Sequence, residues 1–144
     1  MTADHTPDAK ALFEAWLQLW NGDLSLAPEV ASDDFHVHSD MIDGSDSRAI
    51  RGAEGLAEFV RAGRSHTPDL KFTVEVPPLF DGDYLSVRWT ATGTYDGSFP
   101  GAEAPAGTVV TFTGTDTLRI RDGRFVEYWL NADGLRMLRQ LQVA

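Results

Sequence analysis

The chain predicts an α+β fold, with helices packed over the concave face of a strongly bent, mostly antiparallel sheet. Three observations carry this. Apolar residues recur at helical spacing in the N-terminal part, and apolar and polar residues alternate over long stretches in the C-terminal part. Between two of those stretches stands Asp122-Gly123. Helices first and strands after, with one sheet face left to cover, is a layered design.

Pro7 and Asp8 open a helix over 7–21, where Phe13, Trp16, Leu17 and Trp20 share a face and Asn21-Gly22 supplies the stop. Tryptophans one turn apart pack a core or wall a pocket, and a hollow core allows both. A short helix over 24–31 leads to a strand over 34–39, and the polar stretch 40–51 is a loop. Arg51-Gly52-Ala53-Glu54 starts a helix that buries Leu56, Phe59 and Val60. Leu70, Phe72, Val74 and Val76 alternate with Lys71, Thr73 and Glu75, the pattern of a half-buried strand. Asp81-Gly82-Asp83 turns the chain into a long strand over 84–96. Pro100, Gly101, Pro105 and Gly107 make 98–107 a loop. Strands follow over 109–121 and 124–131, and 135–141 closes with a helical turn or two. Gly93 and Gly114 interrupt strands long enough to bend strongly. A bent sheet with helices across its concave side leaves a cone with an apolar cavity.

The Asp-Gly pair predicts a type I′ hairpin, because that turn needs positive φ at both central residues. Pairing Arg121 with Arg124 then sets Ile120 opposite Phe125, Leu118 opposite Glu127 and Asp116 opposite Trp129. It also sets Gly114 opposite Asn131 and Phe112 opposite Asp133. All of these share one face, an apolar wall with a few polar groups, which is the general signature of a small-molecule site. The other face carries Thr111, Thr113, Thr115, Thr117 and Arg119 against Val126, Tyr128, Leu130 and Ala132. A bulge would transfer everything beyond it to the opposite face, and Gly114 is a candidate place.

Residues 1–144 make one domain, long enough to bury roughly two thirds of its unfolded surface. A net charge of −10 argues against nucleic acid or an anionic membrane as partner. The absence of cysteine excludes disulfide and thiolate chemistry. With a polar N-terminus and no long apolar run, the expectation is a cytoplasmic protein.

Several segments in order carry a family likeness. They include residues 28–38, Arg51-Gly52-Ala53-Glu54-Gly55-Leu56 followed by Phe59, and Pro68-Asp69-Leu70. They continue through 82–97, Phe112-Thr113-Gly114-Thr115-Asp116-Thr117-Leu118-Arg119, 122–129, Asp133 and Leu138-Arg139-Gln140-Leu141. The chain resembles the SnoaL-like polyketide cyclases, also called ester cyclases, of the nuclear-transport-factor-2-like superfamily. The resemblance implies a conical α+β barrel around an apolar cavity, often homodimeric. It implies an acid/base aspartate at Asp133 and an intramolecular aldol condensation with no metal or organic cofactor. Tyr95 stands where the family commonly has His in a Gly-Thr-His-x-Gly motif. Superfamily relatives include isomerases, epoxide hydrolases, dehydratases and non-catalytic binders, so the fold does not settle the function.

Asp133 has two readings. Partly desolvated beside Trp129 and Phe112, its carboxyl would be raised toward neutrality and serve as acid or base. Alternatively it caps the last helix, a common place for Asp. His36 and His38 share a face at a spacing that metals favour, yet further ligands are not evident and no metal is expected. His38, which matches the family's position, is expected to polarise a substrate oxygen. Asp116 is a second acid, an orienter, or a partner of Arg88. Trp16, Trp20, Phe35, Trp89, Tyr95, Phe112, Trp129 and Asn131 complete the expected pocket, with Tyr95 near its rim. The threonine-rich face, too apolar for water, is expected to form a homodimer through Thr111, Thr113, Thr115, Tyr128 and Leu130. Three functions fit: a cyclase, lyase or isomerase acting on a hydrophobic carbonyl compound, an epoxide hydrolase with Asp116 beside Asp133, or a non-catalytic binding module in which Asp133 is only a cap.

Overall fold

The hairpin turn forms as its residues require, with φ of 53° at Asp122 and 78° at Gly123. It belongs to a computed structural model that describes residues 6–41 and 44–143. The elements in order are α1 (Thr6–Trp20), a 3-10 turn (Leu24–Leu26), α2 (Ala27–Val30), β1 (Ala31–His38), a second 3-10 turn (Ser47–Ala49) and α3 (Gly52–Gly63). Then follow β2 (Lys71–Asp81), β3 (Tyr84–Thr94), β4 (Val109–Arg121), β5 (Arg124–Ala132) and α4 (Gly134–Gln140). Among the described residues no helix is long and apolar enough to cross a membrane.

The strands form one open mixed sheet in the order β1-β5-β4-β3-β2. β1 runs parallel to β5, and the other neighbours are antiparallel. β2 extends further than its alternation suggests, through Pro77 and Pro78. The prolines are tolerated because β2 is an edge strand, and its register slips between Val74 and Val76 and again before Leu79.

Helices α1, α2 and α3 cover one face. Phe13, Trp16, Leu19 and Trp20 of α1 meet Val30 of α2, Leu56 and Val60 of α3, and the inward residues of every strand. Phe35 and Val37 of β1 are fully buried in this core. A smaller cluster of Tyr95, Ala104, Val110 and Leu141 anchors the 95–108 loop and the end of α4. The Tyr95 hydroxyl accepts from Phe99 N–H at 2.8 Å, so this tyrosine holds its loop and is absent from the pocket rim.

The β4–β5 register departs from simple alternation. Arg121 pairs with Arg124 and Ile120 with Phe125, but the next pair is Arg119 with Glu127. Phe125 and Val126 therefore occupy the place of one residue, and both are buried. Beyond the bulge Leu118 faces Tyr128, Asp116 faces Leu130 and Thr115 faces Asn131. Tyr128 and Leu130 move inward, so neither belongs to the outer face expected to make a dimer contact. Glu127, Trp129 and Asn131 move outward, beside Arg119, Thr117 and Thr115.

Gly114 is not the bulge. It pairs with Trp89, whose indole lies flat over the space a side chain would take. A Cβ at Gly114 would stand 2.5 Å from Trp89 Cη2 and 2.8 Å from the Asn131 carbonyl oxygen. Gly114→Ala is expected to lower stability by about 1–3 kcal/mol through displacement of that ring. Denaturant unfolding measures the loss, and Trp89→Leu in the same background should recover part of it.

Candidate functional site

Among the described residues, Asp116 is the one carboxylate that the fold buries in its aromatic core, at 5% exposure. It lies on β4 opposite Val87, on the face that the helices cover. Tyr128, brought inward by the bulge, donates its hydroxyl to Oδ1 at 2.9 Å. Trp16 of α1 donates its indole N–H to Oδ2 at 3.2 Å. The Trp16 ring packs edge-on against Tyr128 at 4.8 Å and Phe125 at 5.3 Å, which holds both donors in place.

Burial pushes the Asp116 carboxyl up to about 6, against the opposing pull of Trp89, Trp16 and Tyr128. The Trp89 indole nitrogen lies close enough to favour the charged form, yet it makes no hydrogen bond of ordinary geometry. Tyr128 is pushed well above its ordinary value by burial and by the neighbouring carboxylate, so it remains a neutral donor.

A cavity opens beside this carboxyl. It is lined by Phe13, Trp16, Leu17, Trp20, Phe72, Val74, Trp89 and Asp116. Its non-atom space is about 250 Å³, part of it open to solvent, and the free room inside is roughly that of one water. Trp20 packs edge-on against Phe72 at 5.4 Å, and Phe72 against Trp89 at 5.0 Å. Trp20 Nε1 and Trp89 Nε1 are both buried without a hydrogen-bond partner. Two unpaired donors in an apolar cavity are natural partners for a guest's oxygen atoms.

Of the expected site residues, Trp16, Trp20, Trp89 and Asp116 come together here. Phe112 stands behind them, 5.8 Å from Trp89. Phe35 is core, packed on Trp16 and Tyr128 rather than on the cavity. Asp133 is exposed and caps α4, accepting from Arg136 N–H at 3.2 Å. The expected desolvation beside Trp129 is not met, because the bulge sends Trp129 to the outer face. His38 also lies outside: Phe35 and Val37 take the inner side of β1, which leaves His36 and His38 across the sheet from Asp116. There His38 stacks on Trp129 at 5.0 Å and bonds Glu127 at 3.0 Å. Asn131 is exposed on the same side.

Arg88 is outward too, bonded to Glu75 at 3.2 Å and Thr113 at 3.0 Å, and so is no partner of Asp116. Not expected as site residues were Tyr128 and the cavity-lining Phe13, Leu17, Phe72 and Val74. The signal available for Tyr128 was the run Phe125-Val126, two consecutive apolar residues where alternation allows one.

The comparisons with known proteins agree with this fold. The family model described as SnoaL-like polyketide cyclase matches residues 10–141. No curated protein matches the chain. Among solved structures, IdmH of Streptomyces antibioticus, which carries a polyketide cyclase assignment, is 29% identical with a TM-score of 0.79, over 92% of this chain and 96% of that one. AclR of Streptomyces galilaeus, which carries a hydroxylase assignment, is 27% identical with a TM-score of 0.78, over 98% and 88%. TsrD of Streptomyces laurentii is 26% identical with a TM-score of 0.78, over 99% and 100%.

The raised carboxyl has a stability consequence. Below the ordinary value of 3.8 Asp116 is neutral in both folded and unfolded chains. Between there and about 6 the folded state keeps a proton that the unfolded chain has released, so this group's contribution falls as pH rises. Above about 6 the loss is constant, near about 3 kcal/mol. Asp46, Asp69 and Asp96, held low by hydrogen bonds, act in the opposite sense. The difference between native and Asp116→Asn unfolding curves, taken from pH 4 to 8, therefore isolates the effect. The native protein should lose ground to the variant as pH rises; parallel curves would mean that the carboxyl is not raised.

Proposed function

Since the chain belongs to the SnoaL-like polyketide cyclase family, we propose that it is an enzyme in which Asp116 is the general acid and base. Its substrate is a flat, hydrophobic, carbonyl-bearing molecule, and its reaction an intramolecular aldol-type ring closure. The observation that carries this reading is a buried carboxyl, poised at about 6, at the wall of an aromatic cavity.

The Asp116 carboxylate takes a proton from the carbon beside a carbonyl. The enolate carbon then attacks a second carbonyl of the same molecule. A carbon–carbon bond forms, a carbonyl π bond breaks, and its electron pair goes to oxygen. That oxygen takes the proton back from Asp116. Substrate and product are isomers, so the balance closes without a co-reactant. Trp16 and Tyr128 hold the carboxyl in one orientation, and the unpaired N–H groups of Trp20 and Trp89 supply donors for the developing oxyanion. In the tight cavity the rings must part to admit substrate, which then displaces water from the reacting carbon. Val74, on the edge strand and 37% exposed, lies on the open side.

An epoxide-hydrolase reaction has less support. It needs a second carboxylate and a cation beside the first, and among the described residues neither lines the cavity. A non-catalytic binding module is the second reading, favoured by the narrowness of the cavity.

Turnover of aromatic poly-ketone substrates by the native protein and by Asp116→Asn tests the proposal. The variant should lose at least about 10²-fold in kcat/KM, whereas Asp133→Asn should stay close to the native value. Native kcat/KM should rise with pH through about 6, as the base ionises. Equal activity of Asp116→Asn would remove Asp116 from the mechanism. Tight binding without turnover by the native protein would favour the binding module.

A further inference from the structure

The bulge that brings Tyr128 inward also builds a second cluster on the opposite face. Parallel pairing sets His36 beside Glu127 and His38 beside Trp129. Nε2 of His38 lies 3.0 Å from Glu127 Oε2, and Nε2 of His36 lies 3.4 Å from the same oxygen. All three candidate ligand atoms fall within 4.8 Å of one another. In a tetrahedral site with ligand bonds of about 2.0–2.1 Å, neighbouring ligand atoms stand about 3.3 Å apart. The two nitrogen–oxygen distances bracket that spacing, and the imidazole nitrogens, within 4.8 Å of each other, close to it when a cation draws them in.

The surroundings orient these groups. His36 Nδ1 lies 3.0 Å from the Asp34 carbonyl oxygen. A carbonyl only accepts, so Nδ1 carries the hydrogen and Nε2 is the ring nitrogen turned toward Glu127 and open to a cation. His38 is held flat against Trp129, with the ring planes 14° apart. The other carboxylate oxygen of Glu127 is taken by Arg119 Nε at 2.6 Å, which leaves Oε2 for the histidines. The arrangement is half-open: side-chain exposure is 23% for His36, 40% for His38 and 17% for Glu127.

We propose that His36, His38 and Glu127 bind a borderline divalent cation of the zinc class, through two imidazole nitrogens and one carboxylate oxygen. Imidazole nitrogen with carboxylate is a donor set that suits zinc, cobalt and nickel over calcium or magnesium. The outward position, to which no described residue contributes a ligand, falls to water, as in sites with three protein ligands. The cation joins the edge strand β1 to β5. Its face of the sheet is opposite the Asp116 cavity, so it is independent of the ring-closure reading. The Arg119 guanidinium opposes an added positive charge, while a net charge of −10 on the chain favours it.

The test uses the full chain without a histidine tag and the metals alone. Titration with Co²⁺ should develop visible ligand-field absorption that saturates at equimolar metal, and Zn²⁺ should bleach it by competition. Zn²⁺ should also raise Tm, since it binds the folded chain. His38→Ala and Glu127→Gln should each weaken Co²⁺ binding by at least about tenfold, whereas His66→Ala should leave it unchanged. His36→Ala guards against misfolding of either variant: it should keep native far-ultraviolet circular dichroism while losing the absorption. Absence of saturable absorption, or equal binding by the variants, would overturn the proposal and leave an imidazole–carboxylate cluster without metal.

Discussion

Phe125 and Val126 of β5 stand where β4 offers room for one residue, and every side chain beyond them takes its face from that slip. Strand alternation has a period of two, so an extra residue exchanges the two faces completely. Tyr128 turns inward to reach Asp116, and Glu127 turns outward to reach His36, His38 and Arg119. A single backbone irregularity thus assembles both the Asp116 and the Glu127 clusters. Burial of both bulge residues stabilises the slip, because neither Phe125 nor Val126 could face water without losing apolar contacts.

The inner cluster works against stability. A carboxyl taken out of water resists ionisation, and one indole and one phenol donor only partly offset the lost hydration. A core optimised for stability alone would place an apolar side chain there. The surrounding construction consists of rings in edge-to-face contact: Trp16 on Tyr128, Trp20 on Phe72, and Phe72 on Trp89. Gly114 makes the arrangement feasible by giving Trp89 a backbone surface to lie on.

The outer cluster has a different electrostatic character. Burial works to raise the Glu127 pKa, but hydrogen bonds from His38 and Arg119, together with the Arg119 charge, hold it below the ordinary carboxylate range. Glu127 therefore stays ionised at neutral pH, while Asp116 titrates close to it. The two faces of one sheet thus hold a carboxylate as a fixed charge and a carboxyl as a proton carrier. The difference follows from access to solvent and cations rather than from residue type.

The sequence by itself determined the order of helices and strands, the Asp122-Gly123 turn, the β4 limits and the burial of α1's tryptophans. These rest on local periodicity and turn stereochemistry, which neighbouring residues set. It also singled out Asp116, Trp16, Trp20 and Trp89 as pocket residues, since helical spacing on α1 and unbroken alternation on β3 and β4 set their faces. Only the tertiary structure decided that Asp133 caps a helix, that His38 and Trp129 face outward, and that Tyr128 faces Asp116. The physical reason is that a bulge costs little locally and is chosen by packing against distant elements. Phe125 is accommodated because Trp16 of α1 packs on its ring and β1 pairs alongside it in the sheet. Those contacts span about a hundred residues of chain, a separation at which periodicity carries no information.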